Sequence, residues 1–303
     1  MPTLTAAQQD QLAAALDGTP YPSGNHWLAE KDGEQLHLIG TIHLDDPRLD
    51  APVERLTPVI ENASLLLLEL PKADQEALMT MMSSDPGFFV LENTSLPELL
   101  SEKDWERIKE AMAARGIPGF MAAKFEPWYI AMVLAMPPCM MQKLAEPDGV
   151  DARLEAIAGR AQIPTRALEP YDSAIRLFTD SPRADQIDFL MASVTDTTLS
   201  ENLLETMFAG YVSEEHAATF QASLLLTPVP DGMSREKLEA EQAEFLEALL
   251  FSRNRAWIPV TEQALADTDG PVVAAFGAGH LAGVDGVLDL LSRQGYTLTR
   301  QNF

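Results

Sequence analysis

The sequence predicts an α/β (α+β) fold: a mixed central β-sheet flanked by helices, with a large helical insertion. Three observations predict it. Short apolar runs at 36–42, 65–70 and 271–276 read as strands, and helical patterns separate them. Residues from about 171 to 266 carry no strand signal and read as mostly helical. Two of the strands leave through the same grammar, an apolar run and then Gly-x-x-His. No linker or low-complexity tract forces a boundary, so 1–303 is read as a single domain with 171–266 as a helical insertion or lid.

In chain order, Thr5 reads as the N-cap of a short helix through Asp17. His26 to Glu30 reads as a first strand, and Asp32-Gly33 as a hairpin turn into the next. That next strand is Leu36-His37-Leu38-Ile39, with Gly40 ending it and His43 on the loop beyond. His26 and His37 are read as ordinary strand residues. A helix from about Ala51 to Asn62 precedes Leu65 to Leu70, an unbroken apolar run that implies burial on both faces. Glu69 sits inside that run. A carboxylate there needs a partner, and the choices are an arginine, a metal, or work as a general base.

The Met-rich segment Ala73 to Ser83 reads as adaptable core filling. Ser95-Leu96-Pro97-Glu98 has the capping-box pattern. Helices follow from Glu102 to Arg115, from Phe125 to Met136 and from Val150 to Ala161. Cys139 reads as a buried small hydrophobe. Ile163 to Glu169 repeats the pattern of a strand ending in an acid, which makes Glu169 a second candidate beside a loop-acid reading. In the helical block, breaks are expected near Gly210 and at 228–232, and His216 is expected to be exposed. Arg253 and Asn254 fall near the end of a charged helix beginning at Ser234. The plain reading of Arg253 and Arg255 is a solvated cationic last turn. The chain then runs strand, His280, helix to Arg293, Gly295 and strand.

Composition excludes some functions. Lys and Arg total 21 against 46 Asp and Glu, a formal charge of −25. That argues against nucleic acid and against an anionic membrane surface. No run approaches a membrane-spanning length, so no membrane span is expected. With one cysteine no intramolecular disulfide can form. The first residues lack the basic and apolar regions of a signal peptide. There is no His-Glu-x-x-His, no Gly-x-Ser-x-Gly and no Walker A pattern. Gly277, Gly279 and Ala282 satisfy a dinucleotide signature. However, no acid for a ribose follows some twenty residues on, and no further βαβ unit follows.

Gly40-Thr41-Ile42-His43, Leu65 to Pro71 and Gly149-Val150-Asp151 stand in one order along the chain. Arg253-Asn254-Arg255-Ala256-Trp257, Gly277-Ala278-Gly279-His280 and Gly295-Tyr296 continue it. In this the chain resembles the TraB/GumN family of Tiki-like metalloproteases, from about residue 25 to the C-terminus. The resemblance implies a metal-dependent hydrolase, first of all a peptidase. It implies His43, Glu69 and His280 around a divalent ion such as manganese, cobalt or zinc. Imidazole and carboxylate suit such ions. Glu69 and Glu169 are the candidate catalytic acids, with Arg253 and Asn254 (and Arg255) as candidates to stabilise an oxyanion. The expected partner is a peptide or small-molecule substrate. The alternative is a non-catalytic peptide or small-ligand binding protein, and a plainer one still is a structural envelope protein. The resemblance also implies the periplasm or cell envelope if a signal peptide has been removed, and the cytoplasm otherwise.

Overall fold

A computed structural model describes residues 4–141, 148–195, 197–227, 229 and 234–303. Its strands are β1 (His26–Lys31), β2 (Glu34–Thr41), β3 (Leu65–Leu68), β4 (Thr165–Ala167), β5 (Val272–Gly277) and β6 (Thr297–Arg300). They form one sheet in the order β4-β3-β5-β2-β1-β6. The four strands from β4 to β2 are mutually parallel, while β1 is antiparallel to both β2 and β6. The sheet is therefore mixed. Asp32 and Gly33 turn the β1–β2 hairpin with φ of 53° and 91°, the left-handed pair that such a two-residue turn requires.

The first eight helices are α1 (Ala6–Leu16), α2 (Asp50–Glu61), α3 (Lys72–Ser84), α4 (Leu96–Leu99), α5 (Glu102–Ala113), α6 (Gly119–Ala122), α7 (Pro127–Ala135) and α8 (Val150–Ala161). Between β4 and β5 lie α9 (Ser173–Thr179), α10 (Arg183–Ser193), α11 (Thr197–Val212), α12 (His216–Leu226), α13 (Arg235–Leu246) and α14 (Ser252–Ala266). Among the described residues this stretch holds no strand. A π-turn, Glu247–Phe251, joins α13 to α14. Helix α15 (Val287–Arg293) precedes β6.

Alternation along the central strands sorts side chains to two faces, because the strand period is two. Leu36, Leu38, Leu65, Leu67, Val272, Ala274 and Phe276 pack on one side with Trp257 and Leu288, from α14 and α15. Ile39, Leu66, Leu68, Val273 and Ala275 pack on the other with Leu56 and Leu154, from α2 and α8. Each buried leucine is worth about 1.5–3 kcal/mol against exposure. Such strands hold the C-terminal ends of β2, β3 and β5 level. A third apolar cluster, around Ile108, Ile130 and Leu190, binds α5 and α7 to α10.

Several expectations are corrected. Gly40 does not end β2, which continues to Thr41. Its bare Cα is needed for packing, since a Cβ there would lie 2.6 Å from Leu281 Cδ1 and 3.0 Å from Ala278 Cα. The capping box at Ser95 forms only by half: Ser95 makes no side-chain cap, while Glu98 accepts from Thr94 Oγ1 and from the Ser95 backbone N–H. The Met-rich helix α3 is not core filling, for it buries no residue and leaves Met79 exposed. Cys139 is exposed on a 3₁₀ turn after Pro138. His216 is buried, because its Nδ1 meets the Oδ1 of the fully buried Asn25 at 3.1 Å. The break expected at 228–232 lies, Val229 apart, outside the described residues.

Candidate active site

Glu69 follows β3 directly, where the parallel strands of an open sheet end and ligands are expected. The Gly277 N–H, at the end of β5, donates to Glu69 Oε1 at 2.5 Å. Arg253 Nη2 donates to Glu69 Oε2 at 2.7 Å. The same guanidinium pairs with Glu169, at 2.5 Å through Nη2 and 3.0 Å through Nε. Trp257 Nε1 donates to Glu169 Oε2 at 3.1 Å. One arginine thus ties the acid after β3 to the acid after β4.

Arg253 is not in a solvated last turn. It lies early in α14 and is buried, as is Asn254. Glu69 and Glu169, distant in sequence, hold its guanidinium inward, and Arg253 stacks over Trp257 with its Cζ 5.0 Å from the ring centroid. Arg255 points elsewhere, to Glu247 and Asp285.

His280 lies on the 3₁₀ turn Ala278–His280 after β5 and is buried. Its Nδ1 is 2.5 Å from Asn254 Oδ1. Asn254 Nδ2 donates to the Asp285 carbonyl at 2.9 Å, so the amide oxygen faces the ring. The imidazole Nδ1 therefore carries the proton and Nε2 holds the lone pair. That Nε2 is 4.0 Å from Glu69 Oε1 and 3.4 Å from Arg253 Nη1. Trp257 lies against the same ring, centroids 4.4 Å apart. Burial pushes the His280 pKa down to about 4. Glu69 opposes that shift, and Arg253 and His43 add to it.

His43, beyond β2, is 62% exposed at the side chain and opens onto the cleft. Its Nδ1 lies 3.2 Å from Asp151 Oδ1, at the start of α8. Removal from bulk water would lower its pKa. The pairing with Asp151 outweighs this, Glu69 adds to it, and the pKa rises to about 9. Glu69 shows the same contest. Burial would raise its pKa, but His280, His43, Arg253 and the Gly277 N–H together hold it near 2.

Gly277 is the meeting point. A Cβ there would lie 3.4 Å from Glu69 Oε1, 3.7 Å from His280 Cδ2 and 3.9 Å from His43 Nε2. Both imidazoles and the carboxylate therefore surround one small volume. His43 and Glu69 line a cleft of about 270 Å³ with Glu169, Arg253 and Asp151, and His280 lies buried next to Glu69. Of the residues singled out from sequence, His43, Glu69, Glu169, Arg253, Asn254 and His280 are brought together here, and Arg255 is not. Asp151, Trp257 and the Gly277 N–H had been given no role. Asp151 stands in the helix-opening Gly149-Val150-Asp151 motif, and an acid at that position is the signal that could have found it. Nothing in a sequence announces a backbone N–H donor.

The donor chemistry suits a metal in one respect. His280 Nδ1 is hydrogen-bonded to Asn254 Oδ1 and His43 Nδ1 is ion-paired with Asp151, which leaves each Nε2 facing away from its partner, the usual support for metal-binding histidine. In another respect the cation is already supplied, since Arg253 sits on Glu69 and on the His280 lone pair. Among the described residues no group of three His, Cys, Asp or Glu is drawn together to the spacing of a coordination shell.

Comparison with known proteins agrees with this arrangement in extent. The model of the TraB/PrgY/gumN family matches residues 25–300. The uncharacterized protein YbaP of Escherichia coli (strain K12) is 25% identical over 272 residues, covering 90% of this chain and 93% of YbaP. An uncharacterized protein of Treponema pallidum (strain Nichols) is 20% identical over 271 residues, 88% of this chain and 80% of its own. No helix among the described residues is long and apolar enough to cross a membrane. The match spans every strand from β1 to β6 and every residue of the cleft, and the chain belongs to the TraB/PrgY/gumN family.

Proposed function

We propose that this cleft is the active site of a metal-dependent hydrolase, and specifically of a peptidase. One observation carries the reading: His43, Glu69 and His280 surround the bare Cα of Gly277 at the ends of three parallel strands. His43, His280 and Glu69 are the residues that would hold a divalent ion. Such an ion, when bound, lowers the pKa of water and polarises a carbonyl.

The chain's own groups do the rest. Asp151 orients His43, and Asn254 fixes the tautomer of His280. Gly277 and Arg253 keep Glu69 ionised, so it acts as an anionic anchor more readily than as a base. A carboxylate held near 2 has little affinity for a proton at neutral pH. Arg253 supplies positive charge beside the cleft, where an oxyanion would develop. Residues 171–266 act as a cover, with Tyr171 and Ala174 already on the cleft wall.

The reading is tested by metal analysis of the purified protein and by turnover of a peptide library with manganese, cobalt or zinc. Stoichiometric metal, lost in His43→Ala and His280→Ala, and cleavage that follows metal content are expected. Protein that takes up none of the three ions would overturn it. A second reading, a binding protein without turnover, is favoured by the way Arg253 already neutralises both Glu69 and Glu169. Metal uptake or ligand binding with no cleaved bond would decide for it. A place in the cell envelope belongs to the same proposal, and fractionation of the native cell checks it.

A further inference from the structure

A larger cavity lies on the other side of the β2 exit. It measures about 520 Å³ and is walled by α7, α10, α11 and α12. Leu134, Phe189, Leu204, Met207 and Phe220 make it mainly apolar. Thr41 lines both this cavity and the cleft, and Ala278-Gly279, the two residues before His280, form part of its floor. The two spaces thus share the ends of β2 and β5.

Two buried polar atoms at this cavity are without partners among the described residues, Thr41 Oγ1 and His216 Nε2. Thr41 is 2% exposed and His216 8%. Buried polar groups are normally hydrogen-bonded, and an orphan costs about 1–3 kcal/mol. The His216 tautomer is set by its surroundings. Asn25 Nδ2 donates to the Tyr211 carbonyl at 2.8 Å, so Asn25 Oδ1 must accept from His216 Nδ1. Nε2 is then a lone pair that requires a donor. The wall hydroxyls have the same need. Ser193, Ser200 and Ser223 each give their proton to a carbonyl of their own helix, at 2.8, 2.9 and 2.7 Å. Their oxygens keep lone pairs but have no proton left to offer.

We propose that this cavity is the subsite for the apolar side chains of a peptide substrate, one backbone N–H of which donates to His216 Nε2. The occupant must combine apolar bulk with N–H donors. A peptide rich in leucine and phenylalanine has both, whereas a fatty acyl chain has the bulk alone. The volume suits a few apolar side chains beside a cleft that holds the bond to be cut. The word substrate rests on the hydrolase reading, but the site itself does not.

Calorimetry with the blocked tripeptide acetyl-Leu-Phe-Leu-amide tests it. Binding is expected with a negative heat-capacity change, the mark of apolar burial. Acetyl-Asn-Gln-Asn-amide and decanoate are expected to bind at least tenfold more weakly. Ser223→Phe and, independently, Leu203→Trp fill the cavity from two helices. Each is expected to weaken the tripeptide at least tenfold at an unchanged melting midpoint. Equal affinity in wild type and in both folded variants overturns the subsite, and so does decanoate binding more tightly than the tripeptide. The two readings fail separately. Cavity-dependent binding without any cleavage removes the hydrolase and keeps the subsite. Cleavage indifferent to both filling variants keeps the hydrolase and removes the subsite.

Discussion

The exits of β2 and β5 share one sequence grammar and have opposite physics. At β2, His43 is open to the cleft, leans on Asp151 and is raised to about 9. At β5, His280 is walled in by Trp257, Arg253 and Asn254 and lowered to about 4. Without a metal, the first is a cation at neutral pH and the second is neutral. Spacing put each imidazole at a strand end, and the surroundings then assigned the charge.

The strongest way to break this contrast is Arg253→Met. It leaves Glu69 and Glu169 without their shared cation, and removing one partner of a buried ion pair costs about 3–5 kcal/mol. Denaturant unfolding should show that loss. A variant as stable as wild type would mean that the two acids are not held by charge.

Glu69→Gln comes next. Arg253 keeps Glu169, so the stability cost should be smaller, about 1–3 kcal/mol for a disturbed buried hydrogen bond. On the proposed hydrolase reading, hydrolysis and metal content should fall far more than stability, because the charged anchor is gone. Thermal melts beside peptidase assays on one preparation decide it. Wild-type turnover per folded molecule would remove Glu69 from the chemistry.

The pH dependence sharpens the comparison in metal-free protein. His280 is depressed in the folded state, so its contribution is present above 6.5 and is lost as pH falls through about 4. For this buried ring the loss is on the order of 3 kcal/mol. His43 is raised, so its contribution is present below 6.5 and is lost as pH climbs through about 9. Its open position and solvent screening keep that contribution smaller. His37 and His216 are also lowered to about 4, so ring-proton NMR must resolve the histidines one by one. Two rings titrating together near 6.5 would erase the contrast.

The smallest expected effect on stability is that of Gly277→Ala. Its Cβ would meet only ordinary contacts, the nearest at 3.4 Å, so unfolding should change by less than about 1.5 kcal/mol. The methyl would nonetheless stand between both rings and Glu69, and ligand or metal affinity should drop. Unchanged affinity would show that nothing binds at that point.

Much of the fold could be read in advance because it rests on short-range pattern. The apolar runs at Leu36, Leu65 and Val272 alternate or run unbroken, and each became a central strand. Among the described residues between β4 and β5 the elements are helices, where strand signals are missing from the sequence. What escaped notice depends on distant partners. Arg253 looked like a cation at a helix end, because only the folded chain brings Glu69 and Glu169 to it from 184 and 84 residues away. His216 looked exposed because Asn25, its partner, is 191 positions off. Cys139 is the exception: its residue type suggests burial, and it stands exposed on a 3₁₀ turn.

The π-turn at Glu247–Phe251 makes α13 and α14 one rod with a slip in its phase. A π-turn accommodates one residue more than α-helical winding would. Each residue advances an α-helix by about 100°. Deleting a single residue there would let the rod wind evenly as one α-helix, with α13 and α14 keeping nearly the phase they have now. Arg253, Asn254 and Trp257 are pinned to the sheet end by Glu169, His280 and Asp285, so the cleft face of α14 would stay in place. The turn thus works like a slack link: its five residues absorb one residue of extra length that the cleft never feels.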